Sequence, residues 1–227
     1  MYKDFVFDLE TFGSTSRAAV IDLSAIPFDP DPEVLETFEE LVSRGRRFKF
    51  DLKSQKGKRL FSKGTIEWWK SQSEEARKNL APKEDDYLIV PGITEFLEFL
   101  EKSGVDKWKS YGYCRGQSFD FPILIDMIRE IQREQNIPEE DIDTYNAEPI
   151  KFWNQRDIRT SIEDRLLVRG QTTCPLPLGT LKGYIAHDSI HDCAKDILML
   201  KYALRYALGI EEAPTKENTD PLSLPTR

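Results

Sequence analysis

Apolar and polar positions alternate over residues 3–8 (KDFVFD), where Phe5 and Phe7 share one face and the run ends on an acid. A period of two marks a β-strand, and one ending on acids delivers polar groups to a sheet edge. The chain enters this strand within its first residues, as expected of an intact N-terminus. A second strand is expected over 18–28 (AAVIDLSAIPF), whereas 33–43 (EVLETFEELVS) fits either a strand or a helix. A short helix is expected over 65–73 (TIEWWKSQS). Pro91 and Gly92 introduce another to about Lys102, with Ile93, Phe96, Leu97 and Leu100 on one face. Residues 108–114 read as a strand, and after Gly116 a helix over 121–134 turns Leu124, Ile128 and Ile131 inward. A strand over 149–153, a helix over 157–168 and a loop over 169–184 come next. A long helix over 189–208 then sets Cys193, Ile197, Leu200, Leu204 and Leu208 at helical spacing. No internal repeat appears. Strands first, then alternating helices and strands, imply one α/β domain with a mixed sheet over 1–210. The polar, Pro-containing segment 211–227 is expected to be a partly disordered tail.

Composition narrows the class. At 227 residues, 39% hydrophobic and 32% charged, the chain suits a globular enzyme with one sizeable core. No apolar run approaches the roughly 20 residues that cross a bilayer, and nothing resembles a secretory signal, so no membrane partner is expected. Cys114, Cys174 and Cys193 are odd in number and lack CxxC spacing, which points to reduced thiols in a cytoplasmic protein. The net charge of −8 hides a basic block between Arg44 and Lys63, with nine bases against the single acid Asp51. Such a block is either a clamp for a nucleic-acid backbone or a solvated loop.

Candidate chemistry begins at Asp8-Leu9-Glu10-Thr11. Residues i and i+2 of a strand share a face, so both carboxylates project together and repel unless a cation lies between them. Hard divalent ions such as Mg²⁺ or Mn²⁺ favour oxygen ligands of this kind. On its own, D-x-E is a common pair. Further acids add weight: Asp120 stands between Phe119 and Phe121 at a strand-to-helix junction, and His187-Asp188-Ser189-Ile190-His191-Asp192 opens the long helix with the only two histidines of the chain.

These stretches resemble the three motifs of the DEDDh 3′→5′ exonucleases, which share the ribonuclease H-like fold. The D-x-E-[TS] motif is matched by Asp8 to Thr11, the Phe/Tyr-Asp motif by Phe119-Asp120, and H-x-[small]-[aliphatic]-x-D by His187 to Asp192. The resemblance runs in order to about residue 208. Many relatives carry Asn four residues before the second-motif Asp, where this chain has Gly116; that position supports the site rather than binding metal. The third motif also admits a second register, His191 with Asp196. His187 with Asp192 is preferred because Ser189 and Ile190 fill the small and aliphatic positions. In addition, Asp188 or Ser189 can cap the helix and leave His187 outside it, free to reach a water, whereas His191 is locked into the first turn.

The resemblance implies a ribonuclease H-like mixed β-sheet flanked by helices. It implies a hydrolase that cleaves phosphodiester bonds from the 3′ end of DNA, releasing nucleoside monophosphates with two ions, Mg²⁺ or Mn²⁺. Asp8, Glu10 and Asp192 are then expected to hold the ion that binds water. Asp8 bridges to the second ion, and Asp120 acts there directly or through water. His187 is the expected general base, since imidazole titrates near neutral pH. Thr11 and Phe12 are expected at the terminal nucleotide, Phe12 stacking on its base; an ordinary core Phe is its other reading. Trp68 and Trp69, adjacent on a helix, cannot both point inward, so one is a candidate to face the cleft with Gln72. Arg156 and Arg159 flank Asp157, where ion pairing is expected ahead of phosphate steering. The partner expected is a single-stranded 3′ end, DNA ahead of RNA. An exoribonuclease, and a non-catalytic nucleic-acid-binding module of the same fold, stay open as alternatives.

Overall fold

The computed structural model describes residues 3–79 and 81–224; residues 1, 2 and 80 and the last three of the expected tail lie outside the described residues. Strand β1 (Asp4–Thr11) pairs antiparallel with β2 (Val20–Phe28), as the alternation predicts. Of residues 33–43, the second half forms a helix, α1 (Phe38–Arg44), and residues 33–37 are turn and loop. Its Thr37 side chain accepts from the Glu40 backbone while Glu40 reaches back to Thr37, a capping box that the T-x-x-E spelling already contains.

The basic block holds a strand that its charge conceals. In β3 (Arg46–Lys49), Phe48 is buried on one side while Arg47 and Lys49 line up beside Ser24 and Asp22 of β2 on the other. Helices α2 (Lys63–Lys70), α3 (Glu74–Asn79) and α4 (Ile89–Lys102) come after it. Strand β4 (Gly112–Cys114) lies parallel to β1. Its first residue must be glycine, because a Cβ there would stand 2.7 Å from the Phe5 ring and 2.7 Å from Ile150. Helix α5 (Gln117–Glu134) and the short α6 (Thr144–Ala147) come next.

The strand expected over 149–153 begins later. Phe152–Asn154 forms a 3-10 turn whose Asn154 is held by the Trp108 carbonyl, and only then does β5 (Gln155–Asp157) pair parallel with β4. Helices α7 (Ile158–Leu166) and α8 (Ser189–Ala207) complete the domain. The sheet order is β3-β2-β1-β4-β5, mixed in direction, with helices on both faces. Residues 211–224, within the expected tail, fold back on the loop before α8: Asp220 accepts from the Leu181 N–H, and Ser223 from that of Leu176.

Period two also divides the core. Phe5, Phe7 and Leu9 face α4 and α5, while Val6 faces α7 and α8. Each such burial stabilises the fold by about 1.5–3 kcal/mol. Because Asp8 and Glu10 fall in phase with Val6, the same alternation aims them at the N-terminal end of α8.

Candidate active site

Glu10 pairs across to Asp22 on β2, and immediately afterwards the register slips, so that Thr11 opposes Val20. Such a bulge bends the strand and re-aims the side chains beyond it. The Thr11 hydroxyl turns back to the Gly13 carbonyl at 2.7 Å, and the Thr11 carbonyl accepts from the Trp69 indole N–H at 2.9 Å. Phe12 is half-buried and stacks on Phe61, with ring centroids 5.9 Å apart.

Asp120 reaches the site through a turn that only glycine makes easily. Gly116 precedes α5 with φ of +145°, a backbone disfavoured for other residues, and its carbonyl takes the Asp120 N–H. Phe121 then packs edge-on against Phe7, with centroids 4.8 Å apart, which seats the first turn of α5 at the end of β1. Gly116 is therefore a hinge of the site where many relatives place Asn.

The third element is the start of α8. Asp188 is its N-cap, accepting from the Ile190 and His191 N–H groups, so His187 stands outside the helix with φ of +60°. The His187 N–H donates to Asp192 at 3.1 Å, and Tyr184 donates its hydroxyl to the other oxygen of that carboxylate. Ligand atoms of Glu10, His187 and Asp192 all lie within 4.8 Å of one another. The His187 ring is held edge-to-face by Trp68, centroids 4.9 Å apart, and by Trp69 at 6.3 Å. Trp69 is buried and Trp68 is 43% exposed, so the tandem pair divides as the sequence requires.

The alternative register has other occupations. His191 Nδ1 accepts the Ile185 N–H at 3.0 Å, and its ring packs on Phe38. Asp196 is gripped by Arg115, whose Nε lies 2.8 and 3.1 Å from the two carboxylate oxygens.

Electrostatics separate the cluster from its surroundings. Burial pushes the Asp8 carboxyl well above the usual range, and the charges of Asp120 and Asp192 push it further. Glu10 is raised likewise, by burial and then by Asp8, Asp22, Asp192 and Asp120. Asp120 is raised to about 7 by burial, against the pull of the Cys114 thiol and the Arg159 guanidinium. Burial takes Asp192 to about 6, partly offset by its bond from Tyr184. These mutual effects place all four acids in one field. Burial lowers His187, which favours the neutral imidazole. Among the described residues, no ion pair engages Asp8, Glu10, Asp120 or Asp192, while neighbouring Arg47 turns to Asp188 and Asp22 and Arg115 to Asp196. An all-oxygen donor set with a shared charge excess fits hard divalent cations.

Several residues of the site carry no mark in the sequence. Tyr184 on Asp192, Arg115 on Asp196 and the chain Asp22–Ser189–Ser24 beneath the α8 start join partners far apart, and no spacing announces them. The basic block is mostly spent inside the fold. Arg44 pairs with Glu36, Arg46 with Glu95, Arg47 with Asp188, Lys49 with Asp86, and buried Arg59 with Asp126, leaving Lys53, Lys56, Lys58 and Lys63 exposed. Neither Arg156 nor Arg159 forms the expected ion pair among the described residues. Arg156 lies on the Tyr111 ring, and Arg159 donates to the Arg115 carbonyl.

The chain is similar to known proteins. An exodeoxyribonuclease of Enterobacteria phage T4 is 65% identical over 224 residues, which span 99% of both chains. Among solved structures, E. coli exonuclease I in complex with a dA16 oligonucleotide superposes with a TM-score of 0.54 at 14% identity, covering 92% of this chain and 43% of that one. A moderately thermophilic exonuclease I from Methylocaldum szegediense gives 0.53 at 14% identity, covering 91% and 40%. At such identities the likeness speaks for the fold, a ribonuclease H-like sheet, and this chain spans about 40% of the length of those enzymes. The profile described as 3'-5' exoribonuclease Rv2179c-like domain matches residues 3–203, and the chain belongs to that family.

Proposed function

We propose that the chain is a divalent-metal-dependent 3′→5′ exonuclease that degrades single-stranded DNA from its 3′ end, releasing nucleoside monophosphates. The observation that carries this reading is the convergence of four acids, from β1, α5 and α8, none of which forms an ion pair among the described residues. A pure binding module gains nothing from gathering buried anions where a polyanion must dock. The 65% identity to a phage exodeoxyribonuclease supports DNA as substrate. The family's description as exoribonuclease supports RNA as the second reading.

In this reading Asp8, Glu10, Asp192 and Asp120 would hold the two ions; Mg²⁺ or Mn²⁺ suits the oxygen donors. When bound, the pair supplies charge neutralisation at the phosphoryl group and the leaving oxygen and helps to orient the water. The remaining work falls to the chain. His187, neutral and held by the two tryptophan rings, takes the proton from the attacking water. Tyr184 fixes Asp192 in one rotamer. Thr11, on the bulged end of β1, and Phe12, just beyond it, face the terminal nucleotide, with Phe61 backing the Phe12 ring. The free buried cysteines and the phage relative support the cytoplasm of an infected bacterial host as the place of action.

The test is digestion of 5′-labelled DNA and RNA oligomers of matched sequence, with Mg²⁺, Mn²⁺ or chelator. The expected result is a ladder shortening from the 3′ end of DNA, with mononucleotide release abolished by chelator. Faster loss of RNA transfers the assignment to an exoribonuclease. Binding without release under every metal leaves only the binding module.

A further inference from the structure

On a chain of net charge −8, one surface stands apart from its polar surroundings. Trp108, Phe152 and Trp153 are 60, 62 and 46% exposed, and Tyr145 is 42% exposed. Their rings touch: the Trp153 centroid lies 6.1 Å from Trp108, 6.2 Å from Tyr145 and 4.9 Å from Phe152. Single exposed aromatics are ordinary, but a contiguous group marks a binding face. This one is rigid. Buried Lys151 sets its ammonium 4.4 Å from the Trp108 centroid and 3.3 Å from that of Tyr145, and Asn154 donates to the Trp108 carbonyl.

The position of the group identifies its occupant. It lies where the chain runs into β4 and β5, and β5 is the edge strand of the sheet. The other end of β5 leads to Arg159, whose guanidinium stands with the Asp120 carboxylate around Gly116, at the wall of the acidic cluster. A cleft of about 580 Å³ at that end is lined by Gly116, Gln117, Phe121, Gln155 and Arg159. On the opposite face of β5 from Gln155, Arg156 stacks 4.1 Å over Tyr111, itself 38% exposed. Three strand residues span only about 10 Å, so the cluster and the aromatic group are separated by a few nucleotides of extended strand.

The acids along this edge are held by local hydrogen bonds. Asp106 spends its carboxylate on the N–H groups of Trp108 and Lys109, Asp157 caps α7, and Glu148 takes the Gln155 amide. The edge presents exposed ring faces together with exposed Arg159 and Lys109. Rings for bases and cations for phosphates are the features that hold a single strand without regard to sequence.

We propose that the β5 edge is a second binding site, the track for the 5′ side of the substrate strand, with Arg159 on its phosphates and Trp153 and Trp108 stacking on its bases. This rests on the nuclease reading above. The test compares kcat/KM on oligomers of about 3 and about 12 nucleotides, for the wild type, Trp153→Phe and the double variant Trp108→Ala, Trp153→Ala. The expected result is that the advantage of the long strand over the short one falls about tenfold per lost ring in the double variant. Trp153→Phe is expected to keep most of that advantage. A ratio equal to wild type in the double variant overturns the track, including the case where both substrates lose rate in proportion. If the wild type digests neither oligomer, the nuclease reading fails on its own. Tryptophan fluorescence then still decides the track: quenching by the longer oligomer in chelator, lost in the double variant, supports it, and no quenching refutes it. A protein ligand that quenches where DNA does not assigns the face to a partner instead.

Discussion

Asp126, Asp188 and Asp196 are buried about as deeply as Glu10 and Asp120, yet the two sets live under different conditions. Asp126 lies between Arg59 and Arg133, Asp188 accepts from Arg47 and from the helix it caps, and Asp196 is clasped by Arg115. Those acids hold the structure together. Asp8, Glu10, Asp120 and Asp192 share one another's repulsion instead, which raises their pKa values and which, in the proposed function, divalent cations relieve. Depth does not separate Glu10 and Asp120 from the structural acids; a direct ion pair to a guanidinium does.

The sharpest way to break this contrast is to neutralise one acid from each set. Asp8→Asn and Glu10→Gln are expected to lower turnover by about three orders of magnitude or more, because each removes a ligand without which the phosphoryl charge goes uncompensated. Both are expected to raise, or at least keep, the melting temperature in chelator, since each removes a buried like charge. Labelled-strand digestion and thermal melting check the two halves together. A loss of both activity and metal-free stability would mean that these carboxylates are structural after all.

Histidines offer the same comparison at a smaller scale. His187→Ala is expected to cost about 10²- to 10⁴-fold in kcat, the usual worth of a general base. His191→Ala, which loses the Ile185 bond and the Phe38 contact, is expected to keep most of its turnover and to melt earlier. The reverse outcome moves the third motif to His191 and Asp196. Next comes the structural pair. Arg115→Met strands the Asp196 charge and is expected to destabilise the fold by about 3–5 kcal/mol, read as a shift in the denaturant midpoint. Adding Asp196→Leu to Arg115→Met is expected to restore much of that loss.

How much of the fold and site is legible in the sequence depends on which interactions leave a local trace. Asp8 and Glu10 share a face because strands repeat every two residues, and His187 stands clear of α8 because Asp188 can cap it; both facts are written in adjacent letters. The helix α1 is equally written, in Thr37 and Glu40, although the apolar pattern of 33–43 leaves strand and helix open. By contrast β3 hides in a run of bases, since its alternation is carried by charges that turn inward to distant acids. Arg47 and Asp188 lie 141 residues apart, and nothing in either neighbourhood signals the other. The basic block therefore reads as a clamp or a loop, when half of it is internal wiring.

Metal and pH sharpen the contrast in one experiment. The Asp120 carboxyl is raised from 3.8 to about 7 and that of Asp192 to about 6, both chiefly by burial. A folded-state value above the unfolded one stabilises the protein below the ordinary value and ceases to do so as pH rises through the raised one. Metal-free protein is therefore expected to lose stability between about pH 4 and pH 7 from these groups. Saturating Mg²⁺ or Mn²⁺ is expected to reverse that loss, by about 2–3 kcal/mol at a hundredfold excess over Kd. Because the ligands must be ionised, the shift in Tm on adding metal is expected to be larger at pH 8 than at pH 5. A metal-induced shift that does not grow with pH would sink the carboxylate cluster as the binding site.

The smallest effect tests whether the contrast extends from charge to orientation. Asp192 bonds the His187 backbone, but the imidazole itself is set by rings, with Trp68 edge-to-face at 4.9 Å and Trp69 anchored to the Thr11 carbonyl behind it. Edge-to-face ring contacts contribute about 0.5–1.5 kcal/mol, so Trp68→Ala is expected to lower kcat about three- to tenfold by loosening the imidazole. Trp68→Phe restores a ring at the same place and is expected to recover most of the rate. KM separates this role from the other one open to a half-exposed tryptophan. A side chain that positions His187 moves kcat and leaves KM near its wild-type value, whereas one that stacks on the terminal base moves KM on every strand length alike. If Trp68→Ala raises KM and spares kcat, the ring reads the substrate, and His187 keeps its place through the backbone bond to Asp192 alone.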